Sequence, residues 1–289
     1  MDRRRRLTRI AVTALLPAVA LCTALGTATS ASAHTTPTAS QRAEAAAAKA
    51  RAAIKDLVVG FQHSPALKVV HRSTGIKGLT QVESTNWSGY ADTGSSFSKV
   101  SASWTEPTGV SSGRTTSLAA FWVGIDGYSS DSVEQDGTLI ESYEGTVYYY
   151  DWWEIYPVND VQVVADVSPG DHITSTVTRS GDSYTLSVTD STHSADSFST
   201  TQTYSGAADS SAEWIAEAPS GSSGVYPLTD FGTWNDGSST VTEGSTSGVI
   251  SSFTDDEITM INGSTDAVEA QPGSLNSSGN GFADTWESS

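Results

Sequence analysis

Three short segments set ionisable side chains among aromatic neighbours, each in a stretch compatible with extended backbone. In Phe121-Trp122-Val123-Gly124-Ile125-Asp126-Gly127, a two-residue period puts Trp122, Gly124 and Asp126 on one face. In Tyr148-Tyr149-Tyr150-Asp151-Trp152-Trp153-Glu154-Ile155-Tyr156-Pro157 the same period groups Tyr150, Trp152, Glu154 and Tyr156. In Ala212-Glu213-Trp214-Ile215-Ala216-Glu217 it groups Glu213 with Glu217 and turns Trp214 away. A carboxyl beside apolar surface resists ionisation, so its pKa moves toward the range useful for general acid and base work. The same pattern also describes core aromatics beneath a polar sheet face, and periodicity alone does not separate the two readings.

Other chemistries are poorly supplied. A serine nucleophile would need a base, and after residue 80 only His172 and His193 could serve as one; both read as surface residues. Zinc chemistry lacks H-E-x-x-H or a close His pair, and Asp255-Asp256-Glu257 reads as a solvated turn rather than a calcium site. The one cysteine, Cys22, falls in a segment expected to be removed, which excludes thiol catalysis, disulfides and cysteine-ligated metals from the remainder. No metal or cofactor is expected. Carboxylates and amides remain.

The elements that must position them are strands. Lys99 to Trp104, Val161 to Val167, His172 to Thr178 and Ser183 to Val188 are rich in β-branched and aromatic residues and are separated by Gly, Asp, Asn and Ser, with Ser180-Gly181-Asp182 as a hairpin signal. No long helical period follows residue 80, so the region reads as one antiparallel sandwich or barrel.

Charge divides the chain sharply. Of 15 Lys and Arg, twelve lie at or before Lys77; from Gln81 onward 30 Asp and Glu face only Lys99, Arg114 and Arg179. So acidic a surface repels phosphates and anionic headgroups, which argues against nucleic acid and membrane partners. Once its carboxyls are protonated, the body keeps few positive charges, which suits a protein working in acid. Residues 1–33 combine a basic start, the apolar run Ile10 to Leu25 and Ala31-Ser32-Ala33, and are expected to be a secretory signal peptide. The product is therefore expected to be secreted and extracellular, as a monomer. Residues 34–83 are net basic, with a helix-forming stretch from Gln41 to Val59, and are expected to be a propeptide, cut between Gly78 and Ser84. A disordered spacer is the alternative. Residues 84–289 form the expected catalytic domain.

Five segments in register resemble a family. Asn86-Trp87-Ser88-Gly89-Tyr90, Trp122-Val123-Gly124-Ile125-Asp126-Gly127 with Gln135 nine residues on, Trp152-Trp153-Glu154-Ile155-Tyr156-Pro157, Ala212-Glu213-Trp214-Ile215-Ala216-Glu217 and Phe231-Gly232-Thr233 resemble those of the glutamic peptidases (eqolisins, peptidase family G1), here a secreted bacterial member. The resemblance implies an all-β fold, a β-sandwich of two antiparallel sheets of the concanavalin-like jelly-roll type. It also implies an acid endopeptidase made as a zymogen, with peptide or protein substrates and its own propeptide as inhibitor. Carried over by position, the catalytic pair is Gln135 and Glu217, with Glu217 preferred to Glu213. Trp122, Asp126, Trp152 and Glu154 become supporting, substrate-binding residues. Two departures stand out: Leu139 occupies a position where fungal members carry Asp, and the fungal cysteines are absent.

The chemistry is consistent with that assignment. Near pH 3 a histidine with a reference pKa of about 6.5 is fully protonated, whereas a glutamic acid with one of about 4.3 still exchanges its proton. The residues leave two other readings open: a jelly-roll glycoside hydrolase using Glu154 and Glu217 with Trp152 as a sugar platform, and a non-catalytic carbohydrate-binding sandwich. Gln135 discriminates, because a glycosidase needs a second carboxylate in its place.

Overall fold

The computed structural model describes residues 38, 41, 42, 44, 45, 48, 49, 52, 68–73, 79–221 and 223–289. The expected signal peptide and most of the expected propeptide lie outside these; residues 41, 42, 44, 45, 48, 49 and 52 are helical. In chain order the strands are β1 (Lys68–Ser73), β2 (Leu79–Ser84), β3 (Trp87–Thr93), β4 (Phe97–Thr105), β5 (Ser117–Ile125), β6 (Val133–Tyr143), β7 (Thr146–Tyr156), β8 (Asn159–Asp166), β9 (His172–Ser180) and β10 (Ser183–Asp190). They continue with β11 (Phe198–Thr203), β12 (Ser211–Glu217), β13 (Ser220–Gly221), β14 (Gly224–Val225), β15 (Thr233–Glu243), β16 (Thr246–Gly248), β17 (Thr254–Ile261), β18 (Val268–Pro272) and β19 (Phe282–Trp286). Single 3₁₀ turns at Ser194–Asp196 and Ile250–Ser252 are the only helical structure described after residue 80.

Two layers result. The first runs β8-β7-β6-β5-β12-β3-β17-β2-β1, antiparallel throughout except where β2 lies parallel to β17. The second runs β11-β10-β9-β4-β15-β16. Strands β18 and β19 extend the first layer from the end of β17, and β15 belongs to both layers, since Thr233 to Asp236 pair with β19 while Gly237 to Glu243 pair with β4. The Gly181-Asp182 connection between β9 and β10 is the hairpin expected from sequence, with Gly181 at φ +61°.

Alternation along the first layer makes two apolar faces. Phe121, Val123, Ile125, Trp214, Ala216 and Tyr90 point inward and pack with Val100, Trp104, Ile173, Val177, Leu186 and Trp234 as the core between the layers. Leu118, Ala120, Trp122, Leu139, Tyr150, Trp152, Ile215 and Trp87 form a second cluster on the outer face. Strand β5 is consequently buried along its whole length, and its alternation shows as residue size rather than exposure. Two motif glycines have a steric reason. A side chain at Gly89, which sits at φ +139°, would collide with the Trp214 carbonyl, and one at Gly137 would collide with the Phe121 carbonyl and Trp122 backbone. Both glycines let neighbouring strands approach beneath the outer face.

Two expectations need correction. Asp255-Asp256-Glu257 is not a turn but part of β17, where Tyr128 donates to Asp256 (2.6 Å) and Tyr90 and Gln81 donate to Glu257. Asp126 does not continue the strand face of Trp122 and Gly124: β5 ends at Ile125, and Asp126 takes φ +70°. The window expected for propeptide cleavage falls on and just before β2, where Val82 is buried in the outer cluster.

Candidate active site

The outer face of β6, β5 and β12 carries the polar groups. Register places Gln135 opposite Gly124 on one side and Glu154 on the other, and Gly124 opposite Glu213. Glu217 lies level with Ala120, which is level with Leu139. Glu217 is thus four residues further along its strand than the Gln135 row, with β5 between. Trp122 spans that offset. The benzo edge of its indole lies against Gly124, where a Cβ would meet ring carbon Cζ3, and its Nε1 donates to Glu217 Oε2 at 2.9 Å. Gly124 is therefore the platform that lets the ring lie along β5.

Glu217 is fully enclosed. Burial pushes its carboxyl well above the usual range; the N–H groups of Trp122 and Asn86 (Nδ2 to Oε1, 3.3 Å) act the other way by stabilising the charged form, and Trp87 makes a smaller contribution. Trp87 also meets Trp122 edge to face, with ring centroids 5.1 Å apart. Asn86 is fixed by its neighbour, since the Ser84 hydroxyl donates to its Oδ1 at 3.2 Å.

Gln135 donates from Nε2 to Glu154 Oε2 at 2.8 Å. A primary amide has two N–H hydrogens; Glu154 takes one and so fixes which end of the group is the donor. The second hydrogen and Oε1, which is buried and accepts no hydrogen bond, remain for another partner. Trp152 and Tyr150 follow on the same face of β7, level with Gly137 and Leu139 in the outer cluster, and Tyr148 stacks on Tyr150 at 6.5 Å.

Both glutamates of β12 face outward as expected, but their surroundings differ. Glu213 is level with Gln135, and burial raises its pKa well above the usual value; a Ser211 hydroxyl opposes the shift, while Asp126, Glu134 and Asp92 reinforce it. Glu217 has N–H donors and no carboxylate among its neighbours of influence. A base that must ionise during reaction is better served by donors than by like charges, which favours Glu217 on physical grounds. Asp126 serves the backbone: its two oxygens accept from the N–H groups of Ala208 (2.8 Å), Asp209 (2.7 Å) and Ser210 (2.8 Å). It thereby pins the entry to β12 rather than lining the face. Of the residues singled out in the sequence, the structure brings together Gln135, Glu154, Trp122, Trp152 and Glu217 on one face, and places Asp126 at its end. Asn86 was missed as a contact of Glu217, although it opens the first of the five motifs.

Comparison with known proteins bears on the family and the fold. The sequence profile of the Peptidase A4 family matches residues 85–276. Among solved structures, the fold is similar to scytalido-glutamic peptidase bound to a transition-state analogue inhibitor (TM-score 0.59, 24% identity, 70% of this chain and 98% of that one). It is similar to SCP-B, a member of the eqolisin family solved with the tripeptide Ala-Ile-His (0.58, 24%, 70% and 98%), and to aspergilloglutamic peptidase from Aspergillus niger (0.51, 24%, 59% and 99%). No curated protein matches the sequence. With the family profile spanning most of the two-layer body, the chain belongs to the Peptidase A4 family, the glutamic peptidases, and is an endopeptidase acting on peptide bonds.

Proposed function

We propose that the protein is a secreted acid endopeptidase whose reaction is carried by Glu217 and Gln135. The observation that carries this reading is the pairing, on one face of three adjacent strands, of an enclosed carboxyl held by N–H donors with an amide oriented by Glu154. Glu217, as carboxylate, takes a proton from a water molecule as its oxygen bonds to the scissile carbonyl carbon. The second N–H of Gln135 stabilises the oxyanion of the tetrahedral intermediate. Glu217 then gives the proton to the amine nitrogen as the C–N bond breaks, leaving a carboxylic acid and a free amine. Trp122 keeps Glu217 in place, and Trp152 and Tyr150 pack with Trp122 in the buried cluster of the same face.

In this reading residues 1–33 direct export and residues 34–83 hold the enzyme inactive until acid releases them. Lys49 supports the second point: its Nζ lies 2.8 and 2.9 Å from the carboxylate oxygens of Glu144 in the β6–β7 turn, and 5.5 Å from the Tyr143 ring. The Lys49 hydrogen bond lowers the Glu144 pKa, so the contact persists above that value and is lost as pH falls through it. Both side chains are exposed, so this pair alone holds the segment weakly. Incubating purified proprotein across a pH series, then assaying it on a denatured protein and on β-glucan or xylan, tests the whole reading. Acid-dependent processing with cleavage of the protein alone is expected; polysaccharide hydrolysis, or no proteolysis at any pH, would sink it.

A further inference from the structure

At the open end of the β9–β10 hairpin, in the second layer, three side chains converge that the peptidase reaction does not use: Asp171 immediately before β9, Asp190 at the end of β10, and His193 three residues beyond. We propose that Asp171, Asp190 and His193 form a binding site for one divalent cation of the zinc class. The backbone arranges both carboxyls. Asp171 Oδ2 accepts from the Ser168 N–H at 2.8 Å, and Asp190 Oδ1 accepts from the N–H groups of Thr192 (2.7 Å) and His193 (2.9 Å). The other oxygen of each turns toward the imidazole, with His193 Nδ1 3.0 Å from Asp171 Oδ1 and 3.7 Å from Asp190 Oδ2.

Nδ1 holds at most one hydrogen, and the shorter contact takes it. Asp190 Oδ2 is left inside the protein without a hydrogen-bond donor, on a residue only 1% exposed. A buried carboxylate oxygen in that position is costly unless a positive charge meets it. The three potential ligand atoms lie within 4.8 Å of one another. Separations of 3.0 and 3.7 Å bracket the roughly 3.4 Å that a tetrahedral ion with bonds of about 2.0–2.2 Å imposes on its ligands. One imidazole with two carboxylates suits zinc better than calcium or magnesium, which favour six or more oxygens. The His193 side chain is 56% exposed, so a fourth position opens to water. An ion here ties the turn before β9 to the loop after β10.

Zinc chloride titrated by calorimetry into the full chain near neutral pH, with thermal unfolding followed in parallel, tests the site. One equivalent should bind and raise the Tm. Asp190→Asn and His193→Gln should each weaken binding at least about 10- to 100-fold, the loss that removal of a mere outer partner of a metal ligand produces. His193 is exposed enough that His193→Gln should fold whatever befalls Asp190→Asn. Absence of a saturable equivalent overturns the assignment, as does binding that survives His193→Gln. Calcium or magnesium matching zinc at equal concentration overturns it too, because the imidazole would then be no ligand.

Discussion

On its inner face the first layer ties buried carboxyls into the sandwich, whereas on its outer face it holds Glu217 among N–H donors. Asp136 points inward and is gripped by the Ser175 hydroxyl of β9. Glu106 accepts from Thr138 (2.7 Å) and the Trp104 indole (3.2 Å) between the layers, and burial pushes it up to about 8. Outward, Glu217 is as deeply buried and its pKa is likewise raised, yet it accepts from the N–H groups of Trp122 and Asn86. Burial and a raised pKa therefore do not by themselves set Glu217 apart. What distinguishes Glu217 is that N–H donors favour its ionised form, on the face that also carries the amide of Gln135 oriented by Glu154.

The comparison breaks most readily at Glu217. Glu217→Gln should lower kcat by about 10³-fold or more while Glu213→Gln and Asp136→Asn leave most of it, because only Glu217 moves a proton. Steady-state hydrolysis of a peptide, with circular dichroism to verify folding, checks this; an active Glu217→Gln enzyme would falsify the assignment. Gln135→Ala comes next, with a loss of about 10²–10³-fold in kcat, the range for removing one oxyanion donor. A loss confined to KM would show that Gln135 only binds substrate.

Trp122→Phe sharpens the contrast at a smaller scale. It removes a hydrogen bond to the ionised form of Glu217, so that pKa should rise further and the acid limb of kcat/KM should move to higher pH, with roughly a tenfold loss on that limb. An unmoved limb in the pH–rate profile would mean that Trp122 only packs.

The inner face makes the smallest and most distributed prediction. Below the usual carboxylate pKa of about 4, folded and unfolded chains are both protonated and burial carries no ionisation penalty. Above it the unfolded chain releases protons that the fold retains, up to about 8 at Glu106 and about 9 at Asp92 and Glu134. In that window the unfolded state binds fewer protons, so stability falls as pH rises. Thermal melts should give a higher Tm in mild acid than at neutrality, and Asp136→Asn, which imitates the neutral acid, should narrow the gap. A Tm that climbs toward neutral pH would contradict this account.

Much of this was legible in the residues. Alternation alone put Glu213 and Glu217 on one face with Trp214 on the other, since a strand allows no alternative. The hairpin at Gly181-Asp182 was readable because its turn chemistry is local. Asp126 was misread because alternation was extended one residue past the end of β5, into a positive-φ turn. Asp255 to Glu257 were misread because a charged run looks solvated until Tyr90, Tyr128 and Gln81 arrive from distant strands. Asn86 was invisible as a contact of Glu217 for the same reason: 131 residues separate them.

The sequence by itself determined the β architecture, the excess of acidic over basic residues and the identity of the polar groups on the outer face, because residue period, composition and short motifs are properties of neighbours along the chain. Tertiary structure alone decided which glutamate receives N–H donors, which is surrounded by like charges, and how Glu154 turns the amide of Gln135. Those outcomes depend on register between strands, and register is set by the packing of two apolar faces and the close approach at Gly89 and Gly137 rather than by any single segment.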